Sequence, residues 1–174
     1  MVLYYDEAQL ATQPTLRRSW RPRGQHRPLP HPGRQQHSSL HGAVRYPDGD
    51  CYFKVLPRVS SSCCIEFLRG LLENWPDQQV HVILDSASSH RSHATEKFVA
   101  AQERLHLHYQ PTYAPWTNPV ERVWQEMRRA VTHCHTFGTL SEVMAAALTW
   151  CQRFGNNRPA VRRLASFQGP NPAP

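Results

Sequence analysis

The spacing of apolar residues changes period several times along the chain, and each change predicts an element. Val2-Leu3-Tyr4-Tyr5 is an apolar and aromatic run that predicts a strand over residues 2–10. Leu40–Tyr46 and Cys51–Leu56 read as two further strands around Pro47-Asp48-Gly49, whose Asp-Gly pair is a strong hairpin signal. From Ser61 to Asn74 the period becomes helical, with Ile65, Leu68 and Leu72 at i, i+3 and i+7. Pro76-Asp77 ends that helix. Val80–Leu84 is a short apolar run of the buried-strand kind, closed by Asp85. Ser92 is placed to cap a helix running to about Arg104, and Leu105–Tyr109 then alternates apolar and polar residues as a half-buried strand does. A Pro-rich turn, Gln110 to Asn118, leads into a helix with Asn118 as N-cap and Pro119 at its first position. The apolar face of that helix is Val120, Val123, Trp124, Met127 and Val131. Thr139-Leu140-Ser141-Glu142 is a capping box that opens a last helix, closed by Gly155.

The order is strand, strand, strand, helix, strand, helix, strand, helix, helix. It predicts an α/β domain: a mixed sheet of three antiparallel strands, then strand–helix alternation, flanked by helices. The ribonuclease H-like fold has that order, and other α/β folds remain open on order alone. A length of 174 residues suits one domain, expected over residues 1–166. An Arg- and Pro-rich excursion over 11–37 interrupts it, and 167–174, FQGPNPAP, lacks core-forming residues and is expected to be a disordered tail.

Composition alters this picture in one respect. Forty per cent hydrophobic and 19% charged residues are ordinary for a globular protein, but a net charge of +7 and a pI near 9.5 are not. Lys54 and Lys97 are the only lysines, so arginine supplies the excess, and guanidinium groups fork onto phosphate oxygens. A polyanionic partner, most simply nucleic acid, is expected. The five cysteines, Cys51, Cys63, Cys64, Cys134 and Cys151, show no Cys-x-x-Cys and no regular spacing, which argues against a zinc ribbon or a disulfide framework. No signal peptide is evident, and no apolar run approaches the roughly 20 residues that span a bilayer. A cytoplasmic, nucleoid-associated protein without a membrane partner is expected.

Few acidic residues stand where apolar elements begin or end. Asp6 follows the first apolar run, Asp85 closes Val80–Leu84, and Glu121 lies in the first turn of the helix after Pro119. Strand ends of open α/β sheets favour ligand sites. Hard cations take oxygen donors, and two Mg2+ ions about 3.5–4 Å apart serve phosphodiester chemistry by activating a nucleophile and offsetting leaving-group charge. Each carboxylate also has a simpler explanation. Glu7 competes with Asp6, Asp85-Ser86 suits a turn or cap, and Glu121 stands where a capping glutamate often does.

Flanking sequence discriminates. VILDSASSHRS followed by YQPTYAPWTNPVERVWQEMRR resembles the DDE transposases of bacterial insertion sequences in the mariner-like superfamily. The matching positions are Asp85, His90, Pro111, Tyr113, Pro115, Asn118, Pro119 and Glu121, with 35 residues between the two acids (121 − 85 − 1). Upstream, YYDEAQL resembles the strand bearing that family's first aspartate, at Asp6, and WRPRGQ the segment after it. The likeness runs from residue 2 to about residue 155. Ser86 stands where family members usually carry Asn, and Ala-Pro-Trp-Thr replaces the commoner Ser-Pro-x-Leu before Asn118. Family members also carry an N-terminal helix-turn-helix region, so a truncated or split-frame product is expected.

The resemblance implies Mg2+-dependent DNA cleavage and 3′-hydroxyl strand transfer, with Asp6 bridging two ions and Asp85 and Glu121 each holding one; Mn2+ can substitute. It implies double-stranded transposon-end and target DNA as partners, and a homodimer or an association with an end-binding transposase chain. Arg17, Arg18, Arg21, Arg23, Arg27, His90, Arg91 and Asn118 are the expected DNA contacts. Trp20 and Trp116 are better read as packing aromatics than as base-stacking ones, and Trp124, Trp150 and Phe154 as core. His106 and His108 share a strand face, and they and His133 and His135 are expected to face solvent. Two competing readings are an inactive DNA-binding or dimerising fragment and another ribonuclease H-like nuclease.

Overall fold

The computed structural model describes residues 1–13, 35–111, 117–133 and 135–165. The three first strands are β1 (Val2–Ala11), β2 (His37–Tyr46) and β3 (Cys51–Leu56), followed by α1 (Ser61–Asn74), β4 (Val80–Leu84), α2 (His93–Ala100) and β5 (Leu105–Tyr109). Three helices end the chain: α3 (Val120–Val131), α4 (Leu140–Gly155) and α5 (Arg158–Ala165). One five-stranded sheet has the order β3-β2-β1-β4-β5. β1, β2 and β3 pair antiparallel, and β4 and β5 join in parallel, so the expected mixed sheet is the one observed.

Side chains alternate across each strand, so one sheet builds two cores. On one face Tyr4, Ala8, Leu40 and Val44 pack with Val120, Val123, Trp124 and Met127 of α3 and Val143 and Ala147 of α4. On the other, Leu3, Tyr5, Ala43, Val80, Val82 and Leu84 pack with Phe67, Leu68 and Leu71 of α1. Ile65 is only half-buried, since the α1 stripe is wider than the predicted triplet and centres on Cys64, Phe67, Leu68 and Leu71. The predicted apolar face of α3 is the buried one, residue for residue.

Local chemistry sets the boundaries. Gly49, at φ 82°, completes the β2–β3 turn, and Arg45 braces it through Asp48 at 2.8 Å and Asp50 at 3.4 Å. α2 stops at Ala100 rather than near Arg104. The Ala101 N–H bonds Phe98 O, and Arg104 instead donates to Trp75 O and Gln78 O, each at 3.0 Å, beyond the end of α1. In α4 the Glu142 N–H bonds Thr139 Oγ1 as a capping box requires, but the Glu142 carboxylate accepts from Gly138 N–H at 2.9 Å rather than from Thr139. Gly155 ends α4 without a left-handed conformation; a Cβ there would meet Cys51 Cβ at 3.2 Å.

α5 is an element that pattern reading passed over. Arg158, Arg162 and Arg163 mask its short apolar face of Val161 and Ala165, although Asn157 Oδ1 accepting from Ala160 N–H is a recognisable cap signal. Trp124 is fully buried, while Trp150 and Phe154 stack at 4.9 Å on the edge of the same core. The excursion and the tail fall outside the described residues, except that β1 and β2 take up the excursion's two ends, with Thr12 N–H bonding Gln36 O at 3.2 Å.

The close approach of α3 to the sheet depends on Gly42. A Cβ there would stand 2.5 Å from Trp124 Cη2 and 2.8 Å from Phe53 Cδ1. Gly42→Ala is expected to destabilise the fold by about 1–3 kcal/mol through overpacking, read as a lowered urea midpoint at unchanged m-value. A midpoint equal to wild type would show that α3 can shift without cost.

Candidate active site

The first two carboxylates meet through strand register. β1 and β4 run parallel with Tyr4 opposite Ile83, and Asp6 and Asp85 share the same offset of 79 positions (83 − 4 and 85 − 6). Asp6 has the parity of Tyr4, and so faces α3; Glu7 has the parity of Tyr5, and so faces α1. That alternation separates the neighbouring acids that the sequence alone left competing. Asn118 then ties α3 to the same place. Its Nδ2 donates to Tyr5 O at 3.0 Å, and its Oδ1 accepts from Val120 N–H at 3.1 Å, the bond expected of an N-cap ahead of Pro119, although the regular helix begins one residue later at Val120. Glu121, in the first turn of α3, is half-buried, and among the described residues its carboxylate makes no capping bond.

The charge state of Asp6 reports this convergence. Burial, then repulsion from Glu121, Glu7 and Asp85, raises its pKa to about 8. Asp6 Oδ2 is buried without a hydrogen-bond partner among the described residues. Asp85 is the opposite case. Its side chain is 57% exposed, and its pKa is lowered by the hydrogen bond from His90.

His90 is fully buried between two carboxylates. Nδ1 lies 2.8 Å from Asp85 Oδ1 and Nε2 lies 2.8 Å from Glu7 Oε1. Burial opposes its charge, yet these two hydrogen bonds win and raise its pKa to about 10, so the imidazolium donates to both. Glu7 Oε1 also accepts from Tyr5 Oη at 2.7 Å; Tyr5 Oη lies 2.8 Å from His41 Nδ1, and His41 Nε2 lies 3.0 Å from Ser39 Oγ. A buried polar chain thus runs from β2 through β1 to the Asp85 turn, where Ala87 N–H bonds Asp85 Oδ1 at 3.0 Å. Sequence reading missed Glu7, Tyr5 and His41 in this role; the period-2 parity of YYDE was the available signal.

The expected DNA contacts divide. Arg17, Arg18, Arg21, Arg23 and Arg27, with Trp20, Pro115 and Trp116, lie outside the described residues. His90 and Asn118 are buried and already hydrogen-bonded within the fold. Arg91 is exposed, with its guanidinium 5.2 Å from the Tyr109 ring centroid. Three further arginines that the sequence reading did not single out, Arg45, Arg162 and Arg163, line an open groove of about 540 Å3 with Tyr4 and Pro119, next to the start of α3.

Asp6, Asp85 and Glu121 present only oxygen donors, which is the donor set a hard divalent cation takes. The orphaned Asp6 oxygen and the mutual repulsion of the carboxylates fit such an ion, which would satisfy both. Among the described residues no three His, Cys, Asp or Glu side chains stand together as a formed cage, so the carboxylates approach one another without closing on a point.

A five-stranded mixed sheet with helices on both faces, with one acid in the middle of the central strand, a second just past the end of its parallel neighbour and a third on the helix beyond, defines a ribonuclease H-like fold. Residues 1–144 match the family described as DDE superfamily endonuclease, and the chain belongs to that family. Over 144 residues it is 27% identical to the 39 kDa protein of insertion element IS630 from Shigella sonnei, covering 82% of this chain and 42% of that protein, less than half its length. Among solved structures it is similar to the Mos1 transposase paired-end complex with the left transposon end, at 18% identity and TM-score 0.68, over 94% of this chain and 51% of that one. It is also similar to the catalytic domain of Mos1 mariner transposase, at 14% identity and TM-score 0.63, over 94% and 74%. These structures share the fold. The family resemblance read from the motifs around Asp85 and Glu121 therefore stands.

Because the folded Asp6 pKa lies above its ordinary value of 3.8, the folded state favours the protonated carboxyl, and stability falls as pH rises from about 4 through about 8. Asp6→Asn is accordingly expected to stabilise the metal-free chain at pH 8.5 by about 1–3 kcal/mol, with the gain shrinking toward pH 4. Urea denaturation at both pH values measures this. A variant less stable than wild type at pH 8.5 would mean that Asp6 carries no electrostatic strain.

Proposed function

We propose that this chain is the catalytic domain of a cut-and-paste DNA transposase, which cleaves double-stranded DNA at transposon ends and transfers the freed 3′-hydroxyl to target DNA. The observation that carries this reading is the Asp6 carboxylate, buried on the central strand with its pKa pushed to about 8 and with Glu121 and Asp85 facing it. Such a group is an expensive way to build a strand and a serviceable way to hold a cation. Asp6, Asp85 and Glu121 would hold Mg2+ or Mn2+. Bound there, the ions would activate the attacking hydroxyl or water and offset charge on the leaving oxygen.

The chain's own residues do the rest. His90 orients Asp85 by a charged hydrogen bond, and Glu7 fixes the other side of the imidazole. Asn118 fixes the start of α3, and so the position of Glu121, relative to β1. The groove bearing Arg45 and Arg162 opens beside Pro119 and suits a phosphate backbone, and the arginines of 17–34 would add to it. A homodimer, or a complex with an end-binding chain, would present two such sites to paired ends in the nucleoid.

Nicking of supercoiled plasmid at low salt, with Mn2+, Mg2+ or EDTA, tests the site, and joining of a labelled 3′-hydroxyl end tests strand transfer. Asp6→Ala, Asp85→Ala and Glu121→Ala are each expected to abolish nicking with the fold retained by circular dichroism. Metal-dependent cutting that survives in any of them refutes its assignment, and nicking without end joining would point to a hydrolytic nuclease. His90→Gln is expected to fall about 10–100-fold and to require more Mn2+ for half-maximal rate, as loss of an outer partner of a metal ligand does. Binding of plain duplex DNA should weaken steeply with salt on a log–log plot. A flat line would remove phosphate contacts from the account.

A further inference from the structure

A second set of potential ligands stands on the sheet, apart from the carboxylates. His106 and His108 lie two apart on β5 and so share a face, as expected from their spacing. The parallel register sets His81 of β4 directly opposite His106 and Ile83 opposite His108, which brings a third imidazole to the same face. That face is opposite the one that buries Val80, Val82, Leu84 and Leu105. α3 and α4 pack over β1, β2 and β3, leaving His106 and His108 exposed at the β5 edge and His81 half-buried.

The rings already interact. His81 Nδ1 lies 3.1 Å from His108 Nε2, and the His81 and His106 rings stack with centroids 4.8 Å apart. Zn–N bonds of about 2.0–2.1 Å in a tetrahedron separate ligand nitrogens by about 3.3 Å, close to the spacing of the first pair. The third ring is engaged elsewhere, with His106 Nε2 3.1 Å from Gln79 Oε1, and among the described residues the trio is not a formed cage. Turning it needs only side-chain rotation on an exposed strand, at the cost of one solvent-accessible hydrogen bond.

We propose that His81, His106 and His108 form a binding site for a borderline divalent transition cation, Zn2+ being the cellular candidate, with the fourth position left to water. Two ligands at i and i+2 on one strand and a third on its neighbour give three nitrogens on one side of a cation. Imidazole donors favour Zn2+, Ni2+ or Cu2+ over Mg2+, so the site differs in chemistry from the oxygen-only set at Asp6, Asp85 and Glu121. Occupancy would clamp the edge strand β5 to β4, the strand that ends at Asp85. Burial together with the facing His106 and His108 lowers the pKa of His81, which favours the neutral ligand form near neutral pH.

The test is titration of the tag-free chain with Co2+, followed by visible absorption, and with Zn2+, followed by calorimetry, both in excess Mg2+. One ion per chain is expected, with the intense visible bands of low-coordinate Co2+, an affinity lost in acid as protons compete for the imidazoles, and a urea midpoint raised by Zn2+. His81→Ala and the double variant His106→Ala/His108→Ala should each lower Zn2+ affinity by more than the roughly 10–100-fold that loss of an outer partner causes. Asp85→Ala should leave it unchanged. All three histidines lie at or near the surface, so circular dichroism is expected to show each variant folded. Unchanged affinity in the double variant, an equal loss in Asp85→Ala, or no binding by the folded wild-type chain would each overturn the proposal.

Discussion

The parallel pairing of β1 with β4 is the constraint on which the rest of the molecule depends. It places Asp6 and Asp85 at one offset on adjacent strands, although 78 residues separate them in the chain (85 − 6 − 1). A slip of one residue in that ladder would turn one carboxylate to the α1 face and leave the other facing α3. The register is held by burial on both sides at once. Leu3, Tyr5, Val82 and Leu84 anchor one core while Tyr4 and Ile83 contribute to the other.

The third acid reaches the same place by a different route. α3 can lie close to the sheet because Gly42, paired with Asp6 on β2, leaves room for the Trp124 ring. Asn118 then fixes the helix start against Tyr5 O. The result is electrostatically uncomfortable by construction, with a buried carboxyl whose neighbours are carboxylates. Ionising this carboxyl costs stability in the empty fold, and under the proposed function a cation would offset that cost. His90 compensates the neighbouring acids. By remaining charged, it gives Glu7 on the α1 face and Asp85 at the end of β4 a shared partner, while Asp6 Oδ2 has none among the described residues.

The same sheet separates two kinds of donor by geometry. Oxygen donors gather where β4 ends beside the middle of β1 and the start of α3, whereas imidazole nitrogens gather on the exposed flank of β4 and β5. Hard and borderline cations prefer these donor sets differently, so the two proposed sites would differ in the ion they take.

Much was legible in the sequence because it rests on local periodicity and local caps. The α3 stripe from Val120 to Val131, the Asp48-Gly49 turn, the Ser92 cap and the apolar runs of β1 and β4 follow from i, i+3, i+4 or alternating patterns that neighbouring residues carry themselves. The Asn-Pro-x-Glu helix start and the Asp85 strand end were likewise readable, and with them the family. What only the tertiary structure decided concerns residues far apart in the chain. It chose Asp6 over Glu7 for the α3 face, drew His90 into a buried bridge with Glu7, set His81 beside His106 and His108, and ended α2 early so that Arg104 could reach the end of α1. α5 also belongs to this class, since its few apolar residues make a helix only against a core already formed. The physical reason is common to all of these. A local pattern states which residues a strand or helix will bury, whereas strand register and the depth of helix packing settle which distant side chains those burials bring within hydrogen-bonding distance.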